Sequence, residues 1–347
     1  MDCLIQEIRR ESKSYVNYQV QTIFIGGGTP SLIPVGKLQE MMRTVYDCYI
    51  VSPDAEITIE VNPGTVSEEK LIAYRQMGIN RLSIGLQSIH DRELSLLGRV
   101  HGSNEFFQTY EWAAKSGFSN SNIDLMSGIP GQTLESWQET LESVISLYPQ
   151  PAHISAYSLI LEEGTPFFVE KPVLPDEDAD REMYRITNDI LSKNGYYRYE
   201  ISNYAKPGYE CRHNKVYWQR GEYAGFGIGA ASLVVNTRFN NCKDRKLYMD
   251  RVLNGNKQRE DVQKLTKKEQ IEETMFLGLR MTEGVSFDKF ESQFHLSIEQ
   301  VYPGLIHKLH RQGVINYTCY KDGRKDRVFL TDYGVDVSNV VMAEFLL

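Results

Sequence analysis

Gly26-Gly27-Gly28-Thr29-Pro30 stands directly after the β-rich run Thr22–Ile25. Three glycines in series let the backbone approach a ligand closely and turn its N–H and C=O groups toward it. The run lacks the Gly-Lys-Ser/Thr of a P-loop, so it suits a phosphate or the ammonium and carboxylate of an amino acid equally. Further along, other short β-rich runs each end at a polar group: Glu60 in Glu60-Val61-Asn62-Pro63-Gly64, Gln87 in Gly85-Leu86-Gln87-Ser88, Asp124 in Asp124-Leu125-Met126-Ser127-Gly128 and Tyr157 in Ser155-Ala156-Tyr157-Ser158. Any one of these reads as a helix cap or a loop hydrogen bond. Thr29, Glu60, Gln87, Asp124 and Tyr157 in series are what a site assembled from successive strand-to-helix loops needs. Arg99, in Leu97-Gly98-Arg99-Val100-His101, offers a planar fork for a carboxylate, although a lone arginine is ordinarily a solvated surface residue. A separate stretch, His213-Asn214-Lys215-Val216-Tyr217-Trp218, joins an imidazole to two large aromatic rings. By spacing alone it is a satisfied histidine in an aromatic cluster.

Residues so far apart converge only if regular elements bring them to one edge. From Met1 to about Glu200 the chain alternates between a period of two and a helical period. β-rich runs occur at Thr22–Ile25, Glu56–Val61, Arg81–Leu86, Asn122–Leu125 and His153–Leu159. Between them Leu38, Met41, Met42 and Val45 fall on one helical face, Thr65 and Glu68 have capping-box spacing, and Ser103 and Thr133 are expected to cap helices that end near Gly117 and about Leu147. Asp178 to Asn194 is a further helix with Gly195 as its stop. Repeated strand–helix units predict an α/β fold with a parallel sheet, and both an open doubly wound sheet and a (β/α) barrel fit.

Beyond Glu200, aromatics and glycines dominate Tyr204 to Gly229, and a basic, polar segment follows from Asn240 to Lys268. Helices are then predicted over Gln270–Leu279, Val285–Phe290 and Ile298–Gln312, and a hairpin from Val314–Tyr320 and Arg327–Thr331. Three helices and a hairpin make a winged-helix-like pattern, with a boundary near residue 260. Its third helix offers only His307, Lys308, His310 and Arg311 to a DNA groove, so no nucleic-acid partner is expected.

Composition sets limits on all of this. The 347 residues are 41% hydrophobic and 24% charged with a net charge of −8, which fits a globular protein and argues against a generic nucleic-acid binder. No apolar run is long enough to span a bilayer, and the first fifteen residues read as an amphipathic helix, not an export signal, so a cytoplasmic location is expected. Cys3, Cys48, Cys211, Cys242 and Cys319 are scattered, with no pair at metal-ligand spacing. No metal site is expected from them.

The ordered motifs IGGGTPS, IEVNPG, RLSIGLQS, LLGRVH, DLMSGIPGQT and ISAYSL resemble the core of the radical S-adenosylmethionine (radical SAM) proteins related to oxygen-independent coproporphyrinogen III oxidase, and the resemblance runs from about residue 1 to the C-terminus. It implies a partial (β/α)6 barrel, here lacking its first strand, with a C-terminal winged-helix-like domain: residues 1–200 as barrel core, 201–260 as an extension and 261–347 as the last domain. It implies that Gly27, Gly28 and Thr29 help bind the methionyl end of S-adenosylmethionine, with Glu60, Gln87, Arg99 and Asp124 lining the rest. His213-Asn214-Lys215-Val216-Tyr217-Trp218 matches the HNxxYW element of the haem-chaperone, or HemW, branch. This makes His213 a candidate haem ligand, with Cys211 the weaker alternative and haem or a porphyrin the expected partner, together with proteins that accept haem. Haem binding and delivery is the implied function; oxidative decarboxylation of coproporphyrinogen III is the alternative. Family members carry a C-x3-C-x2-C loop for a 4Fe–4S cluster after their first strand. That motif does not occur in the sequence, so radical chemistry by these residues alone is not expected and the catalytic residues stay unassigned. The expectation is that DNA upstream of Met1 encodes the strand and the motif, and that Thr22–Ile25 is a sheet edge.

Overall fold

Strands β1 (Gln19–Ile25), β2 (Ile50–Val61), β3 (Arg81–Gln87), β4 (Asn120–Ser127) and β5 (His153–Ser158) lie side by side in chain order and run parallel. Beyond them come β6 (Tyr197–Glu200) and β7 (Asn203–Ala205); the sheet order is β1-β2-β3-β4-β5-β7-β6, and β7 is antiparallel to β5. All five β-rich runs anticipated from the sequence are strands, several of them longer than their apolar residues suggest. The computed structural model describes residues 1–347. They group into two units: Asn17–Arg198 with Ser202–Cys211, and Met1–Val16 with Tyr199–Ile201 and Arg212–Leu347.

In the first unit the two faces of the sheet differ in chemistry. Along β3, Leu82, Ile84 and Leu86 alternate with Arg81, Ser83, Gly85 and Gln87, and all seven are buried. Alternation sends the two sets to opposite faces. The apolar set, joined by Ile59, Ile123, Leu125 and Ile154, belongs to the same fully buried core as Leu38, Met42, Leu71, Phe106, Trp137 and Leu141 of the intervening helices. Covering the apolar face in this way is what a parallel sheet requires. The polar set forms the other face. Strand registers place Glu60, Ser83, Asn122 and His153 in one row, and Gly85, Asp124, Ser155 and Asn203 in the next.

The crossover helices are Val35–Cys48, Glu68–Gln76, Ser103–Lys115, Leu134–Ile145 and Glu177–Lys193. Leu38, Met41 and Met42 are buried, but Thr44 completes that face in place of Val45, its hydroxyl donating to the Glu40 carbonyl at 3.0 Å. Two caps differ from expectation. Ser67, not Thr65, accepts from the Lys70 N–H; Thr65 instead donates to the Asn62 carbonyl and lies 2.6 Å from Ser31 Oγ, bracing the loop after β2. Ser103 is the first helical residue after an N-cap at Gly102, whose N–H donates to Glu105 at 3.0 Å. Thr133 caps as anticipated.

The second unit holds helix Asp2–Glu11, helix Arg212–Trp218, and strands β8 (Ala231–Val234), β9 (Thr237–Asn241) and β10 (Arg259–Lys264) in an antiparallel sheet. The buried Glu7 carboxylate accepts from Gly227 N–H at 2.8 Å, Tyr248 O–H at 2.7 Å and Asn241 Nδ2 at 2.6 Å. Burial raises its pKa and these bonds oppose the rise. The winged-helix-like part has helix Lys267–Gly278, strand β11 (Val285–Ser286), helix Phe287–Phe294, and a three-stranded sheet in which β13 (Lys325–Leu330) lies between β11 and β12 (Ile315–Cys319). The helix expected from Val285 thus begins only at Phe287. The one expected over Ile298–Gln312 is two, Ile298–Val301 and Leu305–Arg311, because Pro303 and a left-handed Gly304 interrupt it.

Candidate functional site

The loop after β1 supplies the glycine run. Gly27 and Gly28 adopt φ of 82° and 67°, and nothing lies within 4 Å of where a side chain would begin on either. Gly26 is different. A Cβ there would meet Glu60 Oε1 and Phe24 Cε1 at 2.8 Å each. That closeness lets the Gly27 N–H donate to Glu60 Oε2 at 3.1 Å, so the first loop is tied to the end of β2. Thr29 Oγ1 accepts from Asn62 Nδ2 at 3.3 Å, and the Asn62 N–H donates to Ser31 Oγ at 3.2 Å.

At the end of β3 the pairing with β4 slips between Gly85 and Gln87, and Gln87 adopts φ of 72°. A bulge of this kind re-aims a side chain. The Gln87 amide turns back over Gly85: a methyl group on Gly85 would lie 3.3 Å from Gln87 Nε2, 3.6 Å from Asn62 Oδ1 and 3.9 Å from Arg99 Nη1. Thr29, Glu60, Gln87 and Arg99 are therefore linked, through Asn62, Gly85 and Gly27, around neighbouring strand ends. Asp124 sits beside Gly85 across β3 and β4. Tyr157, next to Met126 in register, is about two-fifths exposed.

Charge in this cluster is out of its ordinary range. Burial raises the Glu60 carboxyl; the Gly27 N–H works against this and the neighbouring Asp124 adds to it. Burial also raises Asp124, opposed by hydrogen bonds from Asn122 and Ser83 and by Arg81. Arg99 is lowered by burial, with Asp124 acting in the other direction. His101 is lowered by burial and then by Arg99. Two carboxylates and one guanidinium in a partly dry site match a ligand that carries positive charge as well as a carboxylate.

Sequence reasoning missed Asn62, Gly85, Ser83, Asn122, His153, Ser155 and Asn203. For Ser83, Asn122, His153 and Ser155 the available signal is the polar half of the strand alternation; Asn62 and Asn203 lie outside the predicted strands.

His213 lies in the second unit, on helix Arg212–Trp218. Its Nε2 is 2.8 Å from the Tyr217 hydroxyl, and the two rings meet edge to face at 5.0 Å. Tyr217 in turn meets Tyr223 edge to face at 4.7 Å. Trp218 is covered by the Arg280 guanidinium at 4.3 Å. Cys211, the other candidate, is buried with its Sγ 3.5 Å from Glu56 Oε1.

Residues 4–144 match the Radical SAM superfamily and residues 265–318 the HemN C-terminal domain. The heme chaperone HemW of Lactococcus lactis subsp. lactis (strain IL1403) is 36% identical over 351 residues, covering 100% of this chain and 90% of that protein. The chain belongs to the HemW family. The heme chaperone HemW of Bacillus subtilis (strain 168) is 37% identical over 332 residues, covering 94% of this chain and 86% of that protein. A solved structure of coproporphyrinogen III oxidase (HemN) from Escherichia coli has a TM-score of 0.85 over 99% of this chain and 82% of that one; at 23% identity it shows a shared fold. Among the residues of this HemW-family chain, no three His, Cys, Asp or Glu side chains gather into a group able to hold a metal. These side chains therefore do not fit an iron–sulfur cluster. They do fit an adenosyl amino acid: the space beside Gly27 and Gly28 is open, and polar groups line the strand ends. No helix is long and apolar enough to cross a membrane.

Proposed function

We propose that this HemW-family chain binds haem and passes it to acceptor proteins, and that it holds S-adenosylmethionine across its parallel strand ends. In this reading residues 1–200 carry the nucleoside site, 201–260 the haem contact and 261–347 the winged-helix-like domain. The observation that carries the haem reading is the edge-to-face cluster of His213, Tyr217 and Tyr223, in which one imidazole is held by a phenol. Imidazole is a common ligand of haem iron, and the bond to the Tyr217 hydroxyl holds the orientation of the ring. Aromatic rings beside it suit a porphyrin plane.

For the nucleoside, the open glycine loop and Glu60 receive the amino-acid end, with Thr29 and Gln87 beside them. Arg99 pairs with its carboxylate, and Asp124 accepts from ribose hydroxyls. S-adenosylmethionine, when bound, would supply a sulfonium centre there. The residues described here bind and orient it, and exclude water from the charged groups.

A Soret titration with haemin tests the haem reading. His213→Ala is expected to weaken binding roughly tenfold or more, while Cys211→Ala binds as wild type. A histidine variant that binds normally, with a cysteine variant that does not, would reassign the ligand. Incubation with coproporphyrinogen III in the same buffer is expected to give no decarboxylated product; its appearance would favour the oxidase alternative.

A further inference from the structure

The polar face of the sheet continues below Asp124 as a hydrogen-bonded chain of side chains. Asn122 Nδ2 lies 2.7 Å from Asp124 Oδ1 and 2.7 Å from Ser83 Oγ. Ser83 Oγ donates to Asp124 Oδ2 at 3.0 Å. Asn122 Oδ1 is 2.6 Å from His153 Nδ1 and 3.0 Å from Ser155 Oγ, and Ser155 Oγ is 2.7 Å from Asn203 Oδ1. Asn122, Ser83, His153, Ser155 and Asn203 are all buried.

The chemistry fixes the direction of these bonds. An ionised carboxylate only accepts, so the Asn122 amide must present nitrogen to Asp124 and oxygen to His153. A carboxamide oxygen also only accepts, so His153 must carry its proton on Nδ1. Burial, and then Arg81, hold His153 well below the usual imidazole range, which keeps one ring proton for this use. Asn122 and Ser83 each bond one Asp124 oxygen, and Ser155 also lies within hydrogen-bonding reach of the carboxylate. A carboxylate has about four acceptor positions, so capacity is left for a ribose hydroxyl.

We infer that Asn122 and His153 are positioning residues for Asp124: His153 sets the orientation of the Asn122 amide, and Asn122 with Ser83 fixes both carboxylate oxygens so that their remaining lone pairs meet the hydroxyls of a nucleoside. This rests on the nucleoside reading above. The charged and titratable groups acting on Asp124 are Arg81 from the neighbouring strand β3, Glu60 from the end of β2, Arg99 from the loop that follows β3 and its short helix, and His153 of β5 through Asn122.

The test is calorimetric titration of the full chain with S-adenosylhomocysteine at about pH 6 and about pH 8, where linkage to a carboxyl proton shows as a change in affinity. Wild type is expected to bind equally at both. Asn122→Leu is expected to bind roughly tenfold more weakly or worse, with the larger deficit at the lower pH, because an unclamped Asp124 holds its proton more tightly. His153→Leu gives a smaller loss of the same form, and His153→Gln, which keeps an N–H donor, restores binding. Melting curves report folding; if Asn122→Leu does not fold, Asn122→Ser carries the same expectation. Leucine variants that bind as wild type at both pH values overturn the proposal and leave the nucleoside reading intact. So does a loss that is equal at both pH values and not restored by glutamine. Wild type that binds no S-adenosylhomocysteine at either pH overturns the nucleoside reading, and the proposal with it.

Discussion

Replacing Gly26 by alanine is expected to disturb the first loop through one contact. The residue's backbone is not left-handed, so alanine pays no conformational penalty there. Reduced freedom of the unfolded chain would by itself stabilise the protein by about 0.4–1 kcal/mol. Against this, the new methyl group would stand 2.8 Å from both Glu60 Oε1 and Phe24 Cε1. Overpacking of this kind costs about 1–3 kcal/mol, and displacing the Glu60 carboxylate also strains its bond from Gly27 at 3.1 Å. The half-exposed position of Glu60 softens both effects, so a net loss of about 1–2 kcal/mol is expected, read as a lower urea midpoint at unchanged slope. Shortening the partner should relieve it: in a Glu60→Asp background the cost of Gly26→Ala falls, and the double-mutant cycle shows coupling. Gly27→Ala is the contrast. It has open space and φ of 82°, so its cost of about 1–2 kcal/mol comes from the backbone and is indifferent to residue 60. Strictly additive energies for Gly26→Ala and Glu60→Asp would refute the reasoning.

Two further outcomes follow from buried charge. Asp124 has its folded-state pKa raised by burial, so the stability it contributes is complete below its ordinary value of 3.8 and is lost as pH rises through the folded value; Asp124→Asn should therefore gain stability over wild type as pH increases toward neutrality in urea titrations, and a constant difference would contradict this. Glu7→Ala leaves the Gly227 N–H, the Tyr248 hydroxyl and the Asn241 amide without their common acceptor, and a loss of about 3 kcal/mol or more is expected; a midpoint within experimental error of wild type would show that water replaces the carboxylate.

Much of the frame was legible because apolar alternation and helical spacing act locally. Arg81–Leu86 and His153–Leu159 read as strands from their residues alone, and Thr133 reads as a cap. Local rules failed where two were in competition. Thr65 has the spacing of a cap, yet Ser67 takes that place and Thr65 braces a loop. The run from Ile298 reads as one helix through Pro303-Gly304 because the apolar positions on either side keep helical spacing, although a proline and a left-handed glycine end the helix there. In the candidate site, the residues at strand ends were visible as a series. Their supports were not, because Ser83, Asn122 and His153 become neighbours only through the register of three strands, and no window along the chain contains a register. The bulge at Gln87 left no local sign, since glutamine is not a residue that advertises positive φ.

That bulge also sets a tension on the sequence. Glycine at position 87 would relieve a left-handed penalty of about 1–2 kcal/mol and would remove the amide that turns over Gly85 toward Asn62 and Arg99. Sturdiness and recognition therefore pull one codon in opposite directions. A library of this chain sorted for survival of heating alone would drift toward glycine or asparagine at 87. The same library sorted for retention of a nucleoside would keep glutamine, and the gap between the two populations would measure how strongly recognition weighs on that residue.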